Sequence, residues 1–186
     1  MSHSGTVRIL GIAGSLRRGS FNAAALRAAQ DLAPDGMTIE IFDLAPIPMY
    51  NDDVRLEGYP PPVADFRAKI KVADGLLLAT PEYNYSTSGV LKNAIDWASR
   101  PPEHPFEGKP IGLMGASAGT LGTARAQYHL RQMFVFLNGF VMNRPEVMIP
   151  AAQTKFDAEG ELTDQQTRDF MSAHLVALKA WVLRMR

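Results

Sequence analysis

Three short runs in this 186-residue chain are apolar at almost every position: Val7–Ala13 (VRILGIA), residues 75–80 (GLLLAT) and Pro110–Ala116 (PIGLMGA). A strand with one face in water alternates apolar and polar residues. A strand that is apolar throughout is covered on both faces, the condition of parallel strands lying between two helix layers. Segments of helical character separate the runs. Residues 21–33 are alanine-rich and stop at Pro34, Asp35 and Gly36. Val63, Phe66 and Ile70 follow at helical spacing behind Pro61 and Pro62, and Leu91, Ile95 and Ala98 form one stripe over 90–98. Residues 122–137 read as a long helix. A second strand is expected over 38–44 and a fifth over 140–142 and 146–149, around Pro145. Thr163 with Gln166 has the form of a capping box and opens a last helix carrying Phe170, Ala173, Ala177 and Trp181. Residues 45–62, with five prolines, read as a long loop. The expected fold is therefore α/β: one doubly wound domain over 1–186 with a five-stranded parallel sheet and helices on both faces, residues 1–6 being a flexible lead-in.

In such sheets ligands bind outside the carboxyl ends of the strands, so the loops after strands one, three and four are where chemistry should lie. The first, GSLRRGSFN over 14–22, joins a strand to a helix start, which turns backbone N–H groups and the helix dipole toward an anion. Ser15 and Ser20 add hydroxyls, Asn22 an amide and Arg17 a charged fork. The Lys of a P-loop and the first G-x-G of a dinucleotide fingerprint are both missing, which leaves a site suited to one terminal phosphate. The second loop, PEYNYSTS over 81–88, offers the faces of Tyr83 and Tyr85 and the amide of Asn84. The third, Ser117-Ala-Gly119-Thr-Leu-Gly122, is small enough for backbone to approach a flat ligand.

That third loop also contains G-x-S-x-G (residues 115–119), the pattern of a hydrolase nucleophile elbow. Asp157, Asp164 or Asp169 followed by His174 would complete the chain order of a triad, but His174 lies inside an amphipathic helix and no oxyanion segment is visible. Composition narrows the field further. Lys plus Arg equals Asp plus Glu at 19 each, which speaks against nucleic acid and anionic membrane as partners. The absence of cysteine removes disulfides, thiolate catalysis and Cys-ligated metal, and the four histidines lack ligand spacing, so no metal site is expected. No apolar run reaches the length of a membrane span, and no signal peptide is expected.

Taken together, the three loops resemble the NAD(P)H-dependent FMN reductases of flavodoxin-like fold, including bacterial quinone and chromate reductases. The resemblance rests on G-S-L-R-x-G-S-x-N at 14–22, P-E-Y-N-x-S at 81–86 continuing as SGVLKNAIDW over 88–97, and S-x-G-x-x-G at 117–122. NRPEVMIP (143–150) and FDAEGELTD (156–164) extend it over nearly the whole chain. It implies the strand order 2-1-3-4-5. It implies FMN as cofactor, its phosphate held by Ser15, Arg17, Ser20 and Asn22 with the backbone of Phe21. Pro81, Glu82, Tyr83 and Asn84 would flank the isoalloxazine, and Ser117 and Gly119 would close its other edge. It implies NADPH or NADH as co-substrate, a small-molecule electron acceptor, a ping-pong cycle without a catalytic side chain, and a cytoplasmic homodimer or homotetramer. A flavodoxin-type electron carrier without NAD(P)H activity is the alternative, and a serine hydrolase using Ser117 the remote one. Met133–Leu137 (MFVFL) is apolar all round its helix, so one stripe is expected on the sheet and the other on a partner, with Tyr85, Arg125, Tyr128 and Glu146 as polar interface candidates.

Overall fold

The computed structural model describes residues 5–186; of the lead-in expected over 1–6, residues 1–4 lie outside the described residues. The elements in chain order are β1 (Val7–Ala13), α1 (Phe21–Asp31), β2 (Met37–Phe42), α2 (Asp52–Glu57), α3 (Pro61–Val72), β3 (Gly75–Ala79), α4 (Gly89–Ala98), β4 (Pro110–Ala116), α5 (Ala124–Phe136), β5 (Phe140–Val141), β6 (Val147–Ile149) and α6 (Gln165–Met185). All strand pairs are parallel and the order is β2-β1-β3-β4-β5, with β6 also on β4. Ile9 of β1 lies between Ile39 of β2 and Gly75 of β3.

Because side chains alternate along a strand, each apolar run feeds two cores. Leu77 and Ala79 of β3 join Ile9, Met114 and the inner faces of α1 and α6. Leu76 and Leu78 point the other way, into a core with Ile12, Leu113, Phe66 of α3, Leu91 of α4 and Phe134 of α5. At roughly 1.5–3 kcal/mol per fully buried large side chain, this two-sided burial is what makes the wholly apolar strands stable in the centre of the sheet. No helix among the described residues is long and apolar enough to cross a membrane.

Four expectations are corrected. The loop over 45–62 contains α2, a helix with Asn51 as N-cap and no buried residue, which left no apolar periodicity to read. The fifth strand is in two pieces, β5 and β6, because the chain bulges out between them at Pro145, which has no N–H for a ladder. Side chains take over there: Trp181 Nε1 donates to Phe140 O (2.8 Å), Arg131 Nη1 to Met142 O (3.1 Å), His174 Nδ1 to Pro145 O (2.7 Å) and Gln127 Nε2 to Val147 O (2.9 Å). The cap of α6 is Asp164, whose Oδ2 accepts from Thr167 N–H, rather than Thr163. The Thr167 hydroxyl and then Lys155 share that carboxylate with the Thr167 N–H and hold its pKa down to about 2. Finally, the core face of α6 is Met171, His174, Leu175, Leu178 and Val182, while Phe170 is exposed; apolar residues on both flanks of this helix hid which stripe meets the sheet.

Candidate functional site

The loops after β1, β3 and β4 converge at the carboxyl edge of the sheet. Gly14 continues β1 toward β3 through its N–H to Ala79 O (2.9 Å), and a Cβ there would stand 2.9 Å from Ser88 Oγ and 3.0 Å from Pro81 Cδ, so only glycine fits between the two loops. Ser20 then caps α1, its Oγ accepting from Ala23 N–H (3.2 Å). The N–H groups of Phe21 and Asn22 in the first turn have no acceptor among the described residues, and that turn carries no acidic residue. The Arg17 guanidinium stands over the Phe21 ring, 5.3 Å from its centroid. Free N–H groups, the positive end of a helix and an arginine together suit a phosphate dianion.

After β3, Tyr83 and Ser86 exchange both backbone hydrogen bonds (2.9 and 3.0 Å) around Asn84 and Tyr85, whose φ values are +50° and +67°. This is a two-residue type I′ turn, normally built on Asn-Gly. Tyrosine at its second position holds a left-handed backbone that costs about 1 kcal/mol or more. One face of the exposed Tyr85 ring is stacked by Arg125, whose guanidinium carbon lies 3.6 Å from the ring centroid. Glu82, one residue before the turn, sends its carboxylate to the N-terminus of α5. It accepts from the N–H groups of Arg125 (3.0 Å) and Ala126 (3.3 Å) and from Arg125 Nε (2.5 Å), and Arg125 Nη2 joins it as well. His129 Nδ1 and Ser86 Oγ add a further link at 2.9 Å. The loop after β3 is thus clamped onto α5.

After β4, Ser117 Oγ accepts from Gly119 N–H (3.0 Å), while Ala151 and Ala152 N–H groups donate to the carbonyls of Gly119 and Ser117. The turn is fixed from behind and leaves its front open.

Two adjoining depressions result. One, of about 180 Å³, is lined by Ser15, Arg17, Ser20, Phe21, Asn22, Pro81, Glu82, Tyr83 and Ser117; the other, of about 420 Å³, by Glu82, Asn84, Ser117 and Gly119 together with Tyr85, Leu121 and Arg125. They meet at Glu82 and Ser117. Every residue singled out in the three motifs lines this crevice; the side chains of Glu82 and Asn22 are engaged at both polar atoms, on α5 and on the backbone of Ala116, while the hydroxyls of Ser15, Ser20 and Ser117 each accept a backbone N–H and keep a proton to donate. Of the residues expected at a subunit interface, Arg125 stacks on Tyr85 and pairs with Glu82 within the chain. Glu82 and Arg125 are 43 residues apart, and no local pattern announces the pair. Glu146 faces Arg131 at 3.9 Å, and Tyr128 is half exposed.

The hydrolase arrangement is not formed. His174 is buried beside Gly112, its Nε2 2.9 Å from where a Gly112 Cβ would lie, and five residues along β4 from Ser117 is about 16 Å. Its Nδ1 is spent on Pro145 O, and burial pushes its pKa down. Gly115 of the apparent elbow has a packing reason instead: a Cβ there would come within 2.0 Å of Thr123 Oγ1 and 2.4 Å of Thr80 O.

A doubly wound parallel sheet whose carboxyl edge carries a phosphate-sized pocket opening into a wider crevice defines a mononucleotide-binding protein of flavodoxin-like architecture. The chain belongs to the NADPH-dependent FMN reductase family, whose profile matches residues 7–154. It is similar to an NAD(P)H-dependent FMN reductase of Pseudomonas aeruginosa, 59% identical over 183 residues, covering 98% of this chain and 99% of the relative. It is also similar to the quinone reductase of Escherichia coli K12, 44% identical with 97% of each chain covered. Among solved structures, the flavoenzyme NAD(P)H:(acceptor) oxidoreductase FerB from Paracoccus denitrificans superposes with a TM-score of 0.88 at 32% identity, over 97% of this chain and 99% of that one.

Proposed function

We propose that this chain is an FMN-dependent oxidoreductase that passes electrons from NADPH or NADH to quinones, free flavin or other small acceptors, with chromate and azo compounds as further candidates. The observation that carries the reading is the crevice itself. All three motif loops line it, and its narrow end combines the free N–H groups of Phe21 and Asn22 with the hydroxyls of Ser15 and Ser20 and the guanidinium of Arg17. Those groups would hold the FMN phosphate. Pro81, Tyr83, Asn84, Ser117, Gly119 and the backbone of Glu82 would flank the ring, the Glu82 side chain being occupied on α5. Bound FMN supplies two-electron chemistry, so the protein need only bind, orient and exclude water. The exposed rings of Tyr83 and Tyr85 at the rim offer apolar faces to a flat nicotinamide or quinone.

Donor and acceptor would use the same open side of the crevice in turn. Initial rates of NADPH oxidation at several benzoquinone concentrations should therefore give parallel double-reciprocal lines; converging lines would mean that both substrates bind together and would overturn the shared-site cycle. NAD(P)H is an intracellular co-substrate, which supports a cytoplasmic place of action. On α5, Phe134 is buried while Val135 and Phe136 are 81% and 87% exposed, and Tyr128 and Gln132 extend the same outer face. Such a stripe supports assembly into a homodimer or homotetramer.

A further inference from the structure

The Asn22 side chain sits where β3 has already turned away from β4. Ser117 N–H donates to Ile149 O, toward β6, so by strand alternation the N–H and C=O of Ala116 point to the opposite side, the side of β3. β3 ends at Ala79, opposite Met114, and leaves Ala116, paired with Ile149 of β6 on its other side, without a strand neighbour on this one. Asn22 replaces it. Its Oδ1 accepts from Ala116 N–H at 2.9 Å and its Nδ2 donates to Ala116 O at 2.9 Å, as one residue of a neighbouring strand would. The residue is 3% exposed, and both ends of the amide are engaged.

Asn22 and Ala116 both line the narrow depression. Asn22 lies in the first turn of α1, whose N–H groups of Phe21 and Asn22 are free, and Ala116 leads directly into Ser117, which lines both depressions, and on to Gly119 of the wider one. We infer that Asn22 is a positioning residue that sets the spacing between a phosphate half-site and a ring half-site, its side chain never touching the phosphate. This rests on the FMN reading above. A ligand that bridges two half-sites gains affinity from their spacing, because binding at one raises the effective concentration at the other; a ligand that occupies one half gains nothing from it.

The test compares three ligands on Asn22→Ala, which keeps the backbone N–H: FMN, which bridges both halves; riboflavin, which has the ring alone; and inorganic phosphate. Flavin binding is read by fluorescence quenching, and phosphate binding by its raising of the unfolding temperature. FMN affinity should fall by about 10- to 100-fold, while riboflavin and phosphate bind as they do to the unaltered protein. Should Asn22→Ala fail to fold by circular dichroism, Asn22→Thr carries the same comparison, since its hydroxyl can retain one of the two bonds to Ala116. FMN and phosphate weakening together with riboflavin unchanged would make the side chain a phosphate ligand and overturn the inference. So would an unchanged FMN affinity, or an equal loss for all three ligands in a folded variant. If the unaltered protein itself binds no FMN, the functional reading fails before the inference is reached.

Discussion

Replacing Glu82 with alanine removes the acceptor at the start of α5 and the partner of Arg125 in one step. The Glu82 side chain is 6% exposed and that of Arg125 34%. Losing the cap leaves the Arg125 and Ala126 N–H groups unsatisfied, which costs about 1 kcal/mol. Breaking a fully buried ion pair from one side costs roughly 3–5 kcal/mol, and the exposure of Arg125 to solvent cuts that by about half. The sum is about 3 kcal/mol. For a chain of this length each kcal/mol moves the unfolding temperature by about 2–4 °C, so Glu82→Ala should melt about 6–12 °C lower, by circular dichroism at neutral pH. Glu82→Gln keeps an oxygen for the helix N–H groups and loses only the charge, so its loss should be less than half as large. The variants should also bind FMN more weakly, because the clamp holds the left-handed turn at Asn84 and Tyr85 against the crevice. An alanine variant melting within about 1 °C of the unaltered protein, or a glutamine variant as unstable as alanine, would refute the clamp as an energetic feature.

Two further outcomes are expected. Burial depresses the His174 pKa while its Nδ1–H remains on Pro145 O, so the unfolded chain takes up a proton at higher pH than the folded one. Stability is therefore full above the ordinary histidine pKa and falls as pH drops below about 6.5, measurable as a falling urea midpoint. His174→Asn should flatten that slope between pH 8 and 5, and an unchanged slope would show that His174 does not carry it. Phe136→Asp places a charge in the exposed apolar stripe of α5. Light scattering should give the mass of one chain for this variant and a multiple of it for the unaltered protein; equal masses would place the assembly surface elsewhere.

The parts of the molecule that were legible in the sequence are those fixed by burial or by loop chemistry. The strands showed themselves because they are apolar on both faces: all five residues of β3 and all seven of β4 are buried. Strand order came from family resemblance, since periodicity says nothing of which strands are neighbours. The crevice was legible because its residues cluster in three short motifs, each directly after a strand. What stayed hidden depends on distant pairing. Nothing near Asn22 says that its amide closes the edge of β4, 94 residues away. Nothing in PEYN says that Glu82 turns away from the crevice to cap α5, or that Tyr85 takes the second place of a type I′ turn where glycine is usual. The split of the fifth strand was half legible: Pro145 marked the break, but the four side chains that hold the two pieces come from α5 and α6.

The central claim is that NAD(P)H reduces FMN held in this crevice. It is tested most directly by mixing the FMN-loaded protein with NADPH, and separately with NADH, without oxygen, and following the flavin band near roughly 450 nm. The account predicts rapid bleaching by at least one of the two, and return of the band when benzoquinone is added. A protein that binds FMN and keeps its colour with both nucleotides would be an electron carrier, and the claim of an NAD(P)H-dependent reductase would be contradicted.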